Sequence, residues 1–327
     1  MTLPSWSSRR NARRLLAAGI FLASLAGCAT PQLQTIAANE QAQLPQRAEL
    51  DAVPFFPQEE YQCGPAALAM VLGAAGRSVE PETLRPQLYL PGRHGSLQVE
   101  MLAATRRNGL VAVELRPSLS DLLAELASGN PVIVLQNLAF DWNPVWHYAV
   151  AIGYDLDAQR IVLRSGSERR LEMRLGAFER SWRGSDHWAM LALPPQRAPA
   201  SLSQRDYVSA VAKLEKVDRA AARIAYRSVL ARTPDDLVAL MGLGNTAYAE
   251  GDLESAEHAF RKAVRAHPDS AAAHNNLAHA LADLKRYEEA LAEARTAVGL
   301  GGSLEEVSTR TLNEVLARSG HGQQRQE

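Results

Sequence analysis

The sequence has very little cysteine and no excess of either charge. Its 327 residues contain two cysteines, and 35 Lys and Arg are balanced by 36 Asp and Glu. Nucleic-acid binding needs a basic face, and a formal net charge of −1 gives no support for one. The sequence also has no CxxC pair, no HExxH pair and no glycine-rich phosphate loop. We therefore expect no metal, no cofactor and no nucleic-acid partner.

Long apolar runs are scarce as well, and the run LLAAGIFLASLAG near the start is too short for a comfortable transmembrane helix. It follows four arginines between residues 9 and 14 and leads to LAGC at residues 25–28. A positive segment, a short apolar core and small residues before a cleavage site are the parts of an export signal. The segment resembles a bacterial lipoprotein signal. A generic signal peptide that happens to contain a cysteine is the alternative.

The resemblance to a lipoprotein signal implies that residues 1–27 are removed and that Cys28 carries lipid. The lipid then anchors the chain, and no other membrane segment is needed. Residue 29 is Ala and not the Asp associated with inner-membrane retention, which favours the outer membrane with the body of the protein in the periplasm.

Cys63 is then left without a disulfide partner in a compartment where disulfides are common. It is either a buried structural residue or a reactive one. The surrounding sequence, PQEEYQCGPAAL, places it at the predicted start of a buried helix, AALAMVLGAAG. Unpaired backbone N–H groups at a helix start favour a thiolate, so we expect a lowered pKa for Cys63.

The chain divides into two predicted domains. After the signal (1–27) and a tether (28–50), residues 51–193 carry mainly helical patterns first and mainly strand patterns later, which indicates an α+β domain. Residues 194–202 are rich in Pro, Ala and Ser and are predicted to be a linker. An all-α region follows.

That region has an internal repeat of 34 residues. Pro234 and Pro268 share the spacing, as do Ala222, Ala256 and Ala290. Residues 203–304 resemble three tetratricopeptide repeats in a helical solenoid, followed by a capping helix and disordered tail at 305–327. The resemblance implies that the repeats bind a protein or peptide partner through a concave face. We expect the repeat histidines, including His274, to be surface residues.

A nucleophilic thiol also needs a base and donors for the oxyanion. His147 begins the alternating strand HYAVAIGYD and is the preferred base, whereas His187 in DHWAML is the alternative. Gln58, a few residues before Cys63, is placed to supply an amide N–H beside the backbone N–H of Cys63. Trp142 and Trp146 are expected either to line a substrate cleft or to pack in the core or at its rim.

Residues 51–193 resemble the papain-like cysteine peptidases that process bacteriocin leaders, classically after a double glycine. The motif QEEYQCGPAALAMVL, followed about 85 residues later by HYAVAIGYD, carries the resemblance. It implies a peptide substrate, with Cys63 as nucleophile, His147 as base and Gln58 as the oxyanion glutamine. Ser165 falls near the position where the family has an orienting Asp. Ser165 is therefore the predicted orienter, and Asn137 is the alternative.

Three functions are compatible with these features. The first is a lipid-anchored periplasmic cysteine peptidase whose repeats recruit its substrate or a partner. The second is a catalytically weak or inactive papain-like scaffold for an envelope complex. The third is a related amidase or acyl-transferase that uses the same two residues.

Overall fold

The computed structural model describes residues 32, 44–58, 62–93 and 95–320. The predicted signal, the lipidation residue Cys28 and the end of the predicted tail lie outside the described residues. The first described strand, β1, covers Arg47–Glu49 and pairs with residues 153–155 of a central strand. The predicted tether therefore ends before residue 47, because part of it belongs to the sheet.

Seven of the described strands form one antiparallel sheet. Its order is β4–β9–β5–β6–β7–β8, with β1 beside the far half of β6. The strands are β4 Val111–Glu114, β5 Val132–Asn137, β6 Trp146–Asp155, β7 Arg160–Ser165, β8 Glu168–Arg174 and β9 Ala189–Leu193. A separate pair joins β2 Tyr89–Leu90 to β3 Gly95–Ser96.

From residue 44 to residue 320, the described part of the chain has five α-helices that alternate with the strands of the first domain and seven α-helices that follow the sheet. The first group is α1 Cys63–Ala74, α2 Pro81–Leu88, α3 Gln98–Arg107, α4 Leu119–Ala127 and α5 Leu175–Arg183. The second is α6 Gln204–Glu215, α7 Arg219–Arg232, α8 Leu237–Ala249, α9 Leu253–Ala266, α10 Ala271–Asp283, α11 Tyr287–Leu300 and α12 Glu305–Arg318. The predicted α+β domain followed by a helical repeat region is confirmed.

The sheet is covered on both faces. Alternating residues of β5 and β6, such as Ile133 and Val150, pack against α1, α2 and α3. Their neighbours, such as Val134 and Ala149, pack against α4, α5 and α6. The helix α1 is buried from Gly64 to Leu72, which explains why its sequence is apolar on every side.

The repeat region is joined to the α+β domain by a continuous apolar core, since the first repeat helix packs in the same cluster as the sheet. Hydrogen bonds also hold the predicted linker, residues 194–202, in place. Buried Glu125 accepts from the backbone N–H and hydroxyl of Ser201 (2.8 and 2.7 Å) and from Asn130 Nδ2 (2.7 Å). The Tyr207 hydroxyl donates to the Arg197 carbonyl (3.0 Å). The predicted linker is therefore packed against both domains.

Close helix pairs explain the small residues of the repeats. A side chain on Gly244 would overlap the ring of Phe260, and one on Gly242 would overlap Tyr226. The predicted surface position of His274 is wrong, because it is 6% exposed and its Nδ1 lies 2.6 Å from a carboxylate oxygen of Glu293. None of the helices in the described part of the chain is long and apolar enough to cross a membrane.

Candidate active site

Cys63 is the first residue of α1, as predicted, and is partly buried. Burial raises the pKa of its thiol, while the backbone N–H groups of Tyr148, Gly64 and Cys63 itself act in the opposite direction. The net pKa lies above the ordinary value, so the predicted lowering is wrong: desolvation outweighs the N–H groups of the helix start. In the resting site the thiol is therefore protonated at neutral pH.

His147 is the second residue of β6, and its Nε2 lies 2.9 Å from the hydroxyl oxygen of Ser165 at the end of β7. Burial lowers the pKa of His147, which favours the neutral imidazole. A neutral imidazole that donates from Nε2 to Ser165 presents Nδ1 as an acceptor. The structure thus places the Ser165 hydroxyl within hydrogen-bond distance of the candidate base.

Asn137, the alternative orienting residue, and His187, the alternative base, make contacts elsewhere. Asn137 Oδ1 accepts from the backbone N–H groups of Ala139 and Val145, both at 3.1 Å, so its side chain supports the loop after β5. The ring of His187 lies edge-on to Trp182, with ring centroids 4.9 Å apart. Neither contact involves Cys63 or His147.

The peptide groups of Tyr148 connect the remaining site residues. The Tyr148 carbonyl accepts from Gln58 Nε2 at 3.1 Å, and the Tyr148 N–H faces the thiol of Cys63. Gln58 Oε1 in turn accepts from the Gly166 N–H at 2.8 Å, and the Gln58 N–H donates to the Gly166 carbonyl at 3.0 Å. Gln58 therefore joins β6 to the end of β7, with its amide beside the site.

No hydrogen bond joins Cys63 to His147, both of which the structure describes. They are linked through Tyr148, which follows His147 in the chain and directs its N–H at the thiol. Catalytic hydrogen bonds are often long or poorly aligned in proteins without substrate, so the lack of a direct bond between Cys63 and His147 does not rule out the pair as nucleophile and base.

Tyr148 and Gly64 also shape the site, although neither was predicted from the sequence to do so. The Tyr148 hydroxyl donates to the Ser96 carbonyl at 3.2 Å, which fixes β3 beside the start of α1. A side chain on Gly64 would overlap the Ser96 hydroxyl, so the packing of β3 favours glycine directly after Cys63. The CGP motif was the available signal for this close approach.

Residues 50–190 match the model of the Peptidase_C39 like family. This part of the chain is a C39-like domain. Residues 207–257 and 241–304 match the model of the tetratricopeptide repeat. The predicted resemblances of residues 51–193 and of residues 203–304 are confirmed.

Solved structures resemble each half of the chain. A protein from Bacillus anthracis described as a C39-like peptidase shares 20% identity, covering 45% of this chain and 97% of its own, with a TM-score of 0.38. The peptidase domain of Streptococcus ComA, a bifunctional ABC transporter in quorum sensing, shares 19% identity over 43% of this chain and 98% of its own, with a TM-score of 0.36.

Another solved chain also resembles part of this chain. The Thermobaculum terrenum O-GlcNAc transferase shares 25% identity over 35% of this chain and 23% of its own, with a TM-score of 0.32. No curated protein gives a significant match to the chain.

The C39-like domain offers no cluster of metal ligands within the described residues, since no three His, Cys, Asp or Glu side chains are grouped there or in the described repeats. Among the described residues, the ionisable groups at the candidate site include Cys63, His147 and the Tyr148 hydroxyl, whose pKa is raised by burial and by the nearby Cys63. Burial shifts the pKa values of Cys63 and His147 toward the uncharged pair.

Proposed function

We propose that the chain is a cysteine peptidase that cleaves a peptide or protein substrate through Cys63. One observation carries this proposal. The imidazole of His147 is held by Ser165 at 2.9 Å, immediately before the residue whose N–H faces the thiol at the start of α1. A thiol, an oriented imidazole and helix-start N–H groups are the components of a thiol acyl-transfer site.

The proposed reaction begins from the neutral pair. His147 Nδ1 takes the thiol proton as the sulfur attacks the carbonyl carbon of the substrate, which forms a C–S bond and an oxyanion. The Cys63 N–H and the second hydrogen of Gln58 Nε2 donate to that oxyanion. His147 then gives the proton to the leaving amine, and water hydrolyses the acyl-enzyme with His147 again as base.

Ser165 limits the rate in this scheme. A hydroxyl orients the imidazole but does not offset the charge of the imidazolium as a carboxylate does. The base is therefore expected to be weaker than one paired with Asp. This feature, together with the raised pKa of Cys63, also supports the second candidate function, a scaffold that binds peptides and turns them over slowly or not at all.

The repeats are proposed to recruit the protein substrate or a partner, because tetratricopeptide repeats present a concave binding face and lack chemistry of their own. We further propose that lipid on Cys28 anchors the protein to the outer membrane, facing the periplasm. The basis for this proposal is the arginine-rich start, the short apolar core and the LAGC segment.

The test is digestion of a bacterial envelope proteome with the wild-type protein and with Cys63→Ala, followed by mass spectrometry of new peptide N-termini. The Cys63→Ala variant is the matched control, because it removes the sulfur and adds no bulk. Cleavages that occur with wild type and are missing with Cys63→Ala support the peptidase. Identical sets of N-termini contradict it and favour the scaffold.

A further inference from the structure

The loop between β5 and β6 is ordered and leads directly into the candidate site. The Leu138 N–H donates to the Val145 carbonyl at 2.9 Å, and the Asn143 N–H donates to the Phe140 carbonyl at 3.0 Å. The buried Asn137 side chain accepts from two further loop N–H groups, as described above. These bonds fix the loop as an extension of the β5–β6 hairpin.

This ordered loop exposes apolar side chains. Trp142 is 81% exposed and Phe140 is 67% exposed, and their rings stack with centroids 5.8 Å apart. Three further exposed apolar residues complete what we call the apolar loop surface: Leu138, Val145 and Trp146. A contiguous exposed apolar surface on an ordered loop indicates a binding site more than isolated exposed residues do.

The apolar loop surface adjoins the candidate site in the chain. Trp146 is the direct neighbour of His147 and pairs across the hairpin with Asn137, the residue that supports the loop. A peptide with its scissile carbonyl at Cys63 and His147 would have the residues on one side of that bond near Trp146.

We propose that the apolar loop surface binds bulky apolar side chains of the substrate, flanking the bond that Cys63 attacks. This inference deepens the proposed function and rests on it for the position of the scissile bond. The substrate class is accordingly a flexible peptide segment with large aliphatic or aromatic residues on one side of the cleavage point.

The charge of the loop favours a peptide over a lipid surface as the ligand of the apolar loop surface. Peripheral membrane loops combine apolar residues with Lys or Arg that face anionic headgroups. The segment 138–146 reads LAFDWNPVW, in which Asp141 is the one charged residue and has the opposite sign. An apolar peptide side chain needs no basic partner, and stacked aromatic rings supply a large contact area.

The test measures binding without catalysis, in full-length Cys63→Ala protein. Two fluorescein-labelled Gly/Ser peptides of one length are compared by anisotropy: one carries a Leu and a Phe, and the other carries Ser at both places. The test variant adds Phe140→Ser and Trp142→Ser. The matched control adds Val307→Ser, which removes an exposed apolar side chain (43% exposed) from α12 in the repeat region.

We expect the apolar peptide to bind the Cys63→Ala protein more tightly than the Ser peptide does. The double loop variant should weaken that binding by on the order of tenfold or more, as for removal of aromatic anchors elsewhere. Val307→Ser should leave it unchanged. Equal binding of the two peptides, or full binding by the loop variant, would overturn the proposal.

Sedimentation of the same proteins with phosphatidylcholine vesicles tests whether the apolar loop surface binds a membrane instead. Sedimentation that depends on Trp142, without discrimination between the peptides, would assign the loop to a membrane and overturn the proposal. Failure of the peptidase itself is distinguishable, because it appears as absent cleavage by wild type while loop-dependent binding of the apolar peptide persists.

Discussion

Replacing Ser165 with Asp should strengthen the candidate base. The Ser165 hydroxyl lies 2.9 Å from His147 Nε2, at the end of β7, and Asp differs from Ser by one short carboxylate extension. Burial now lowers the pKa of His147, and a serine supplies no charge to oppose that effect. A carboxylate in this position would stabilise the imidazolium form directly.

The expected rise in the pKa of His147 follows from the distance between its imidazolium and the new carboxylate. Two unit charges about 3.5 Å apart attract by roughly 5 kcal/mol at an effective dielectric constant near 20. Desolvation of the new carboxylate opposes this attraction, and nearby opposite charges typically shift a pKa by about 1–3 units. We expect the pKa of His147 to rise by about 1–2 units, or roughly 1.4–2.7 kcal/mol in favour of the imidazolium.

The assay is the rate of iodoacetamide alkylation at Cys63 near neutral pH, followed by peptide mass spectrometry. Ser165→Asp should react about tenfold or more faster than wild type, because the thiolate–imidazolium pair becomes more populated. Ser165→Asn keeps a neutral acceptor and should resemble wild type, whereas Ser165→Ala should be slower. A folded Ser165→Asp that reacts no faster than Ser165→Ala would refute the assigned geometry.

Three further predictions follow from other contacts. Gln58→Ala should lower peptide turnover by about 10²–10³-fold in kcat while sparing iodoacetamide alkylation, which forms no oxyanion; an equal loss in both assays would contradict the oxyanion role. Glu125→Ala should lower the free energy of unfolding by about 2–4 kcal/mol in urea, because it leaves the donors of buried Asn130 and part-buried Ser201 without their acceptor; a loss under about 0.5 kcal/mol would contradict the role of Glu125 in holding the linker. Burial raises the pKa of Tyr207 to about 12, so its contribution to stability should be present below pH 10 and lost as pH rises toward 12; Tyr207→Phe should flatten that decline, and an unchanged slope would contradict it.

The main site residues could be predicted from sequence, but their electrostatics could not. The CGP motif and the strand beginning at His147 have strong local signals, and the family resemblance placed Ser165 near the orienting position. The pKa of Cys63 depends on how deeply α1 is buried against the sheet, a tertiary property that outweighs the helix start. The contacts of Gln58 depend on where the pairing of β6 and β7 ends, which has no sequence signal.

The fold likewise has some features that could be predicted from the sequence and others that could not. Helix and strand periodicity predicted the α+β domain and the repeats, because both patterns are local. The three-residue strand β1 was missed, since Arg47–Glu49 is too short to show alternation and is defined only by its partner in β6. His274 was misplaced because Glu293, nineteen residues away on the next helix, covers it.

The assignment of His147 as the base for Cys63 is tested most directly by the pH dependence of iodoacetamide alkylation at Cys63 in wild type and His147→Ala. Cys63→Ser serves as the control for reaction at other residues. We expect wild type to react faster near neutral pH and His147→Ala to react only as pH rises above the ordinary thiol pKa of about 8.5, because burial raises the pKa of Cys63. Superimposable pH profiles for the two proteins would contradict the assignment of His147 as the base for Cys63.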